Sequence, residues 1–170
     1  MKELTSHLFI IGFMGVGKTS TSRALSRRLR VQEIDSDAMI VEQQGMPIAQ
    51  IFEEQGEEAF RQMETRLLDQ IATMPPCIVS CGGGMVLRQE NIEKMKKQGR
   101  ILLLAASPET IYEHVKDSTN RPLLNGNMNV EYIRSLMEER EPRYQAAADI
   151  TIITDGMTPR QAAEKIMAVL

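Results

Sequence analysis

Gly12-Phe13-Met14-Gly15-Val16-Gly17-Lys18-Thr19 is the stretch that decides the fold. It has the spacing G-x-x-x-x-G-K-[ST] of a phosphate-binding loop. An apolar run, Leu8–Ile11, precedes it, and a helix-forming run, Ser20 to Leu29, follows. Strand, glycine-rich turn and helix in that order build an anion site. The glycines let backbone N–H groups turn inward, some at positive φ, and the helix N-terminus adds its partial positive charge. Gly15, Val16, Gly17, Lys18, Thr19 and Ser20 are therefore the candidate nucleotide contacts. Lys18 would reach the outer phosphates as a point charge, and Thr19 would offer its hydroxyl to Mg²⁺. A dinucleotide loop fits poorly, because G-x-G-x-x-G counted from Gly15 demands glycine at position 20, where Ser20 stands.

Outward from this loop, short apolar runs recur at Val31–Ile34, Cys77–Ser80, Ile101–Leu104 and Ile150–Ile153, with helical patterns between them. Alternating strands and helices imply an α/β fold with a parallel sheet covered on both faces, here of five strands. The near-continuous apolar strands fit burial on both sides. Ser107 with Pro108 marks one helix start, and Thr158, Pro159 and Gln161 mark another as a capping box. Phe60, Met63, Leu67 and Ile71 repeat on one face of a helix between Glu57 and Thr73. At 170 residues, with 42% hydrophobic and 25% charged residues, the chain reads as one globular domain, 1–170. A net charge of -3 argues against nucleic acid as its main partner. No run approaches the roughly 20 apolar residues of a membrane span, and no signal peptide is legible, so a cytoplasmic protein is expected. Cys77 and Cys81 would lie about 13 Å apart along a strand, too far for a disulfide. Packing is their expected role.

Several residues point to the partner of the phosphate site. The second strand ends Ile34-Asp35-Ser36-Asp37. In an open parallel sheet, ligands bind beyond the carboxyl ends of the strands. One aspartate is expected to act there and the other to cap a helix. Ser80-Cys81-Gly82-Gly83-Gly84-Met85 places three glycines after the third strand, where they suit close backbone approach to a ligand. Arg61 and Glu64 sit at i, i+3 on a helix, as an ion pair or as part of a site. Arg140 falls where the stripe Ile133, Leu136, Met137 predicts an apolar residue, so a protein partner or an anionic ligand should meet it. Pro142 should limit or kink that helix. The stretch Asp117–Asn129, rich in Asn, Ser, Gly and Pro, should be a loop, and it carries Arg121.

Taken together, GFMGVGKT, IDSD, FRQME, SCGGGMV, NRPLL and REPRY resemble, in order and spacing, the motifs of the shikimate kinases, small P-loop kinases related in fold to the nucleoside monophosphate kinases. The resemblance covers nearly the whole chain. It implies a three-layer kinase fold with a mobile lid at about 112–128, ATP and Mg²⁺ as cofactors, and phosphorylation of the 3-hydroxyl of shikimate. It implies that Arg61 and Arg140 grip the shikimate carboxylate, with Glu64 supporting the pocket. Asp37 would bond the shikimate hydroxyls, as orienting group or as base, and Asp35 would sit near Mg²⁺ through water. Gly82, Gly83 and Gly84 would bring N–H groups to the substrate. Arg121 would come from the lid onto the phosphates. A monomer is expected. Two positions depart from the family pattern. An arginine common seven residues before the lid arginine is His114 here. A basic residue common before the last helix is replaced within Asp155-Gly156-Met157. Rival readings are a kinase of another carboxylated polyol, such as gluconate, and a silent nucleotide-binding switch.

Overall fold

The computed structural model describes residues 3–117, 126 and 128–170. Five parallel strands form one sheet: β1 (His7–Ile11), β2 (Glu33–Asp35), β3 (Ile78–Ser80), β4 (Gly99–Ala105) and β5 (Ile150–Ile153). Their order across the sheet is β2-β3-β1-β4-β5. Phe9 lies beside Val79 on one flank and Ile101 on the other, so β1 is central. Every residue of β1 and β3 is buried, as expected of strands covered by helices on both faces. The edge strand β5 instead alternates, with Ile152 inside and Ile153 exposed. All five apolar runs of the sequence become strands.

Among the described residues, eight α-helices connect and cover the sheet: α1 (Lys18–Leu29), α2 (Ser36–Gln44), α3 (Ile48–Gln55), α4 (Glu57–Ile71), α5 (Gln89–Gln98), α6 (Pro108–Val115), α7 (Val130–Ala147) and α8 (Pro159–Val169). Their starts follow local chemistry. Ser107 accepts the Thr110 N–H and Pro108 occupies the first turn of α6. Thr158 and Gln161 form the reciprocal capping box of α8. The expectation that Pro142 limits α7 is corrected: the helix runs on to Ala147. The turns beyond Pro142 are held from outside, since Tyr144 and Ala147 are buried and Arg143 donates to the Leu87 carbonyl at 3.0 Å. Of the expected lid, Tyr112–Val115 belong to α6, and residues 118–125 and 127 lie outside the described residues. Arg121 lies outside the described residues.

The topology fixes where chemistry can occur. The chain leaves β1 in the phosphate loop at the carboxyl edge of the sheet. The ends of β2 and β3 lie on one side of that loop, and those of β4 and β5 on the other.

Candidate active site

One continuous cavity of about 1570 Å³ runs along this carboxyl edge, from Met46 and Phe52 past the phosphate loop to Thr154 and Pro159. At its centre the loop takes the conformation its glycines permit. Gly15 and Gly17 have φ of 79° and 98°, in the left-handed region that side chains resist. Gly17 is also the N-cap of α1. The Lys18 ammonium donates to the carbonyls of Gly12 at 2.7 Å and Phe13 at 3.1 Å, which holds it within the loop. Val16 is buried, while Ser20 is exposed at the cavity wall.

Asp35 and Asp37 divide their roles as the sequence suggested. Asp35 caps α2, its Oδ1 accepting the Ala38 N–H at 3.0 Å. Its Oδ2 accepts the Thr19 hydroxyl at 2.9 Å, which joins the end of β2 to the start of α1. Asp37, in the first turn of α2, faces the cavity. Thr19 and Asp35 together offer only oxygen donors. Among the described residues no group of three or more His, Cys, Asp or Glu is placed to hold a metal ion. That donor set fits Mg²⁺, a hard ion that keeps several waters and binds through one or two carboxylates and phosphate oxygens.

The three glycines after β3 are explained by what lies against them. A Cβ on Gly82 would stand 2.5 Å from Asp37 Oδ1, one on Gly83 3.3 Å from an Arg140 Nη1, and one on Gly84 2.1 Å from an Arg61 Nη1. Each glycine seats one functional side chain, and the two guanidinium groups lie over neighbouring residues of one loop. The expectation for Gly82 is corrected here, because its N–H donates to the Ser36 hydroxyl at 2.8 Å. Absence of a side chain, more than a free N–H, makes that position necessary.

Arg61 is held by its guanidinium. Its Nη1 donates to Glu64 at 2.7 Å and its Nη2 to Glu57 at 3.2 Å. Burial works against its charge, yet the two carboxylates outweigh burial and raise its pKa. Glu64 is fully buried, and its Oε2 has no hydrogen-bond partner. Burial therefore dominates over the pull of Arg61 and pushes the Glu64 carboxyl up to about 7. None of the ion pairs among the described residues involves Arg140, which lies over Gly83 together with the Tyr144 hydroxyl. The Tyr144 hydroxyl also donates to the Gly83 carbonyl at 2.8 Å. Tyr144 was not among the sequence candidates, although REPRY places it one helical turn beyond Arg140. Cys81 lines the cavity but is buried, which raises its thiol pKa. It is a packed thiol, as is Cys77.

On the other side of the phosphate loop the cavity wall comes from Thr154, Met157, Thr158 and Pro159. His114 reaches the loop from α6, with Nδ1 2.6 Å from the Gly15 carbonyl. A site with an anion nest at its centre and two arginines and an aspartate on one side suits transfer of a phosphoryl group to an anionic, hydroxylated acceptor.

A family model described as shikimate kinase matches residues 14–170. The shikimate kinase of Thermodesulfovibrio yellowstonii is 40% identical over 161 residues, covering 95% of this chain and 92% of that one. The structure is similar to that of shikimate kinase from Acinetobacter baumannii in complex with shikimate, with TM-score 0.89 and 32% identity. That match covers 96% of this chain and 92% of the other. A gluconokinase from Sinorhizobium meliloti has TM-score 0.65 at 14% identity, covering 98% of this chain and 92% of its own, and shares the fold alone.

Proposed function

The chain belongs to the shikimate kinase family, and on that premise we propose that it transfers the γ-phosphoryl group of ATP to the 3-hydroxyl of shikimate through the residues described above. The observation that carries this reading is the seating of Arg61 and Arg140 over Gly84 and Gly83, with Asp37 over Gly82 beside them. Two guanidinium groups suit one carboxylate, and charge-assisted hydrogen bonds to it fix the orientation of the ring that bears it. Asp37 then meets the hydroxyl side of that ring.

In the reaction, the acceptor oxygen bonds to the γ-phosphorus as the bond to the leaving oxygen of ADP breaks. Asp37 orients the hydroxyl and takes its proton. Backbone N–H groups from Gly15 to Ser20 hold the phosphates. Lys18 follows the charge that shifts toward the bridging oxygen, stabilisation that matters most in the transition state. Thr19, with Asp35 through water, would hold Mg²⁺, which when bound supplies positive charge to the phosphate oxygens. Arg121, on motif grounds, adds charge from the segment beyond α6. Every named group comes from one chain, so a monomer suffices. No helix among the described residues is long and apolar enough to cross a membrane. Two unpaired buried thiols agree with a reducing compartment such as the cytoplasm.

Substituting the two arginines tests the reading. Arg61→Ala and Arg140→Ala should each weaken shikimate binding by about 1.5–3 kcal/mol while leaving ATP affinity in place. Because both act on one carboxylate, the double variant should be non-additive. Unchanged shikimate affinity in both single variants, measured by calorimetric titration, contradicts the proposed pocket.

A further inference from the structure

The cavity wall beyond β4 is built by residues 154–159, and one carboxylate fastens it to the rest of the site. Asp155 Oδ1 accepts the Ser107 N–H at 3.0 Å and the Thr110 hydroxyl at 2.5 Å, and lies 3.0 Å from the Ser107 hydroxyl. Its Oδ2 is 3.3 Å from the same Ser107 nitrogen. Ser107 is already the N-cap of α6. Asp155 is therefore a second cap, delivered to the positive end of α6 from the end of another strand, 48 residues away. These bonds hold its carboxyl below the usual range, first through Thr110 and then through Ser107.

The far end of α6 rests on the phosphate loop. His114 Nδ1 donates to the Gly15 carbonyl, and a Cβ on Gly15 would fall 2.5 Å from Val115 Cγ1. One eight-residue helix thus ties two walls of the cavity together. At one end it meets the loop that binds phosphates. At the other it is clamped to the wall that the sheet order places away from Asp37 and Arg61.

We propose that Asp155 is a positioning residue for the nucleotide: by capping α6 in trans it sets the distance between the base-side wall, residues 154–159, and the phosphate loop. The inference rests on the nucleotide reading of the cavity, since the phosphates at Gly15–Ser20 leave a base only that side. The clamp makes no contact with the acceptor residues. Its loss should loosen the grip on the base and leave the grips on phosphates and acceptor unchanged.

The test is steady-state kinetics and direct ATP titration on the full chain. Asp155→Ala should raise KM and Kd for ATP on the order of tenfold, about 1.4 kcal/mol. KM for shikimate should stay fixed, as should inhibition by inorganic tripolyphosphate, which has no base. Asp155→Asn keeps an acceptor oxygen and should restore part of the affinity. Thr110→Val removes a donor from the opposite side of the clamp. It should act in the same direction, more weakly, and non-additively with Asp155→Ala. An unchanged ATP affinity in Asp155→Ala, equal weakening of ATP, shikimate and tripolyphosphate, or full additivity with Thr110→Val overturns the proposal. Should Asp155→Ala fail to fold, Thr110→Val decides, and unchanged ATP affinity there overturns it. A parent protein that binds ATP but does not phosphorylate shikimate overturns the kinase reading alone, with the clamp still measured by Kd.

Discussion

Glu64 shows how a single residue sets the behaviour of the acceptor pocket. It is fully buried with one oxygen paired to Arg61 and the other unpaired, and its carboxyl is raised from 4.5 to about 7. A raised carboxyl pKa means that the folded protein binds more protons than the unfolded chain between about pH 4.5 and 7. This contribution to stability is therefore full at low pH and lost as pH rises through about 7. A substrate carboxylate beside Arg61 favours the protonated form further, so binding should take up a proton. Shikimate affinity should accordingly fall as pH rises from 6 to 8, and Glu64→Gln, neutral throughout, should flatten that profile. Equal slopes in the two proteins, from titrations across this range, would remove Glu64 as the cause. Asp37 makes a second residue-scale prediction: Asp37→Asn should bind ATP normally yet turn over about 10²–10⁴-fold more slowly. A variant with weakened ATP binding and a normal rate would place Asp37 on the nucleotide side. That one aspartate of Ile34-Asp35-Ser36-Asp37 caps a helix was legible, with the structure naming Asp35 as the cap. The seat that each glycine provides was not, since a Cβ clash depends on side chains arriving from α2, α4 and α7.

At the scale of elements, strands were easier to read than helices. Each strand carries its own apolar run. By contrast, α2 shows no clear apolar stripe, and α3 is only eight residues long, too short for the stripe of Ile48, Ile51 and Phe52 to stand out. The passage of α7 through Pro142 is set by distant partners: Arg143 on Leu87 and Tyr144 on Gly83. These bonds dock α7 against the glycine loop and so fix where Arg140 points. Tyr144→Phe keeps the packing and removes the hydroxyl that holds Gly83 in place beneath Arg140. It should raise KM for shikimate by roughly tenfold, the cost of leaving buried polar groups without a partner. ATP affinity should not change. A variant with normal shikimate KM would show that α7 is held by packing alone. The clamp at Asp155 belongs to the same class of feature. It was invisible in the sequence, where Asp155 stood only in the loop whose family basic position falls at Gly156 or Met157.

Across the whole molecule, the sheet order separates two tasks. The turns after β2 and β3 carry Asp37 and the three glycines, β4 and β5 lead to the far wall, and β1 delivers the phosphate loop between them, while Arg140 reaches the glycines from α7. A gluconokinase shares the fold, so discrimination between shikimate and gluconate must come from the acceptor side rather than the frame. There the geometry is specific: two arginines over adjacent glycines, an aspartate over the next, and a buried glutamate behind them. The measurement that tests this account most directly is ADP release in a coupled assay with Mg-ATP, run without acceptor, with shikimate and with gluconate. The account predicts slow release alone, strong stimulation by shikimate with formation of its 3-phosphate, and little or none by gluconate. Release that shikimate does not stimulate, or that gluconate stimulates equally, would contradict it.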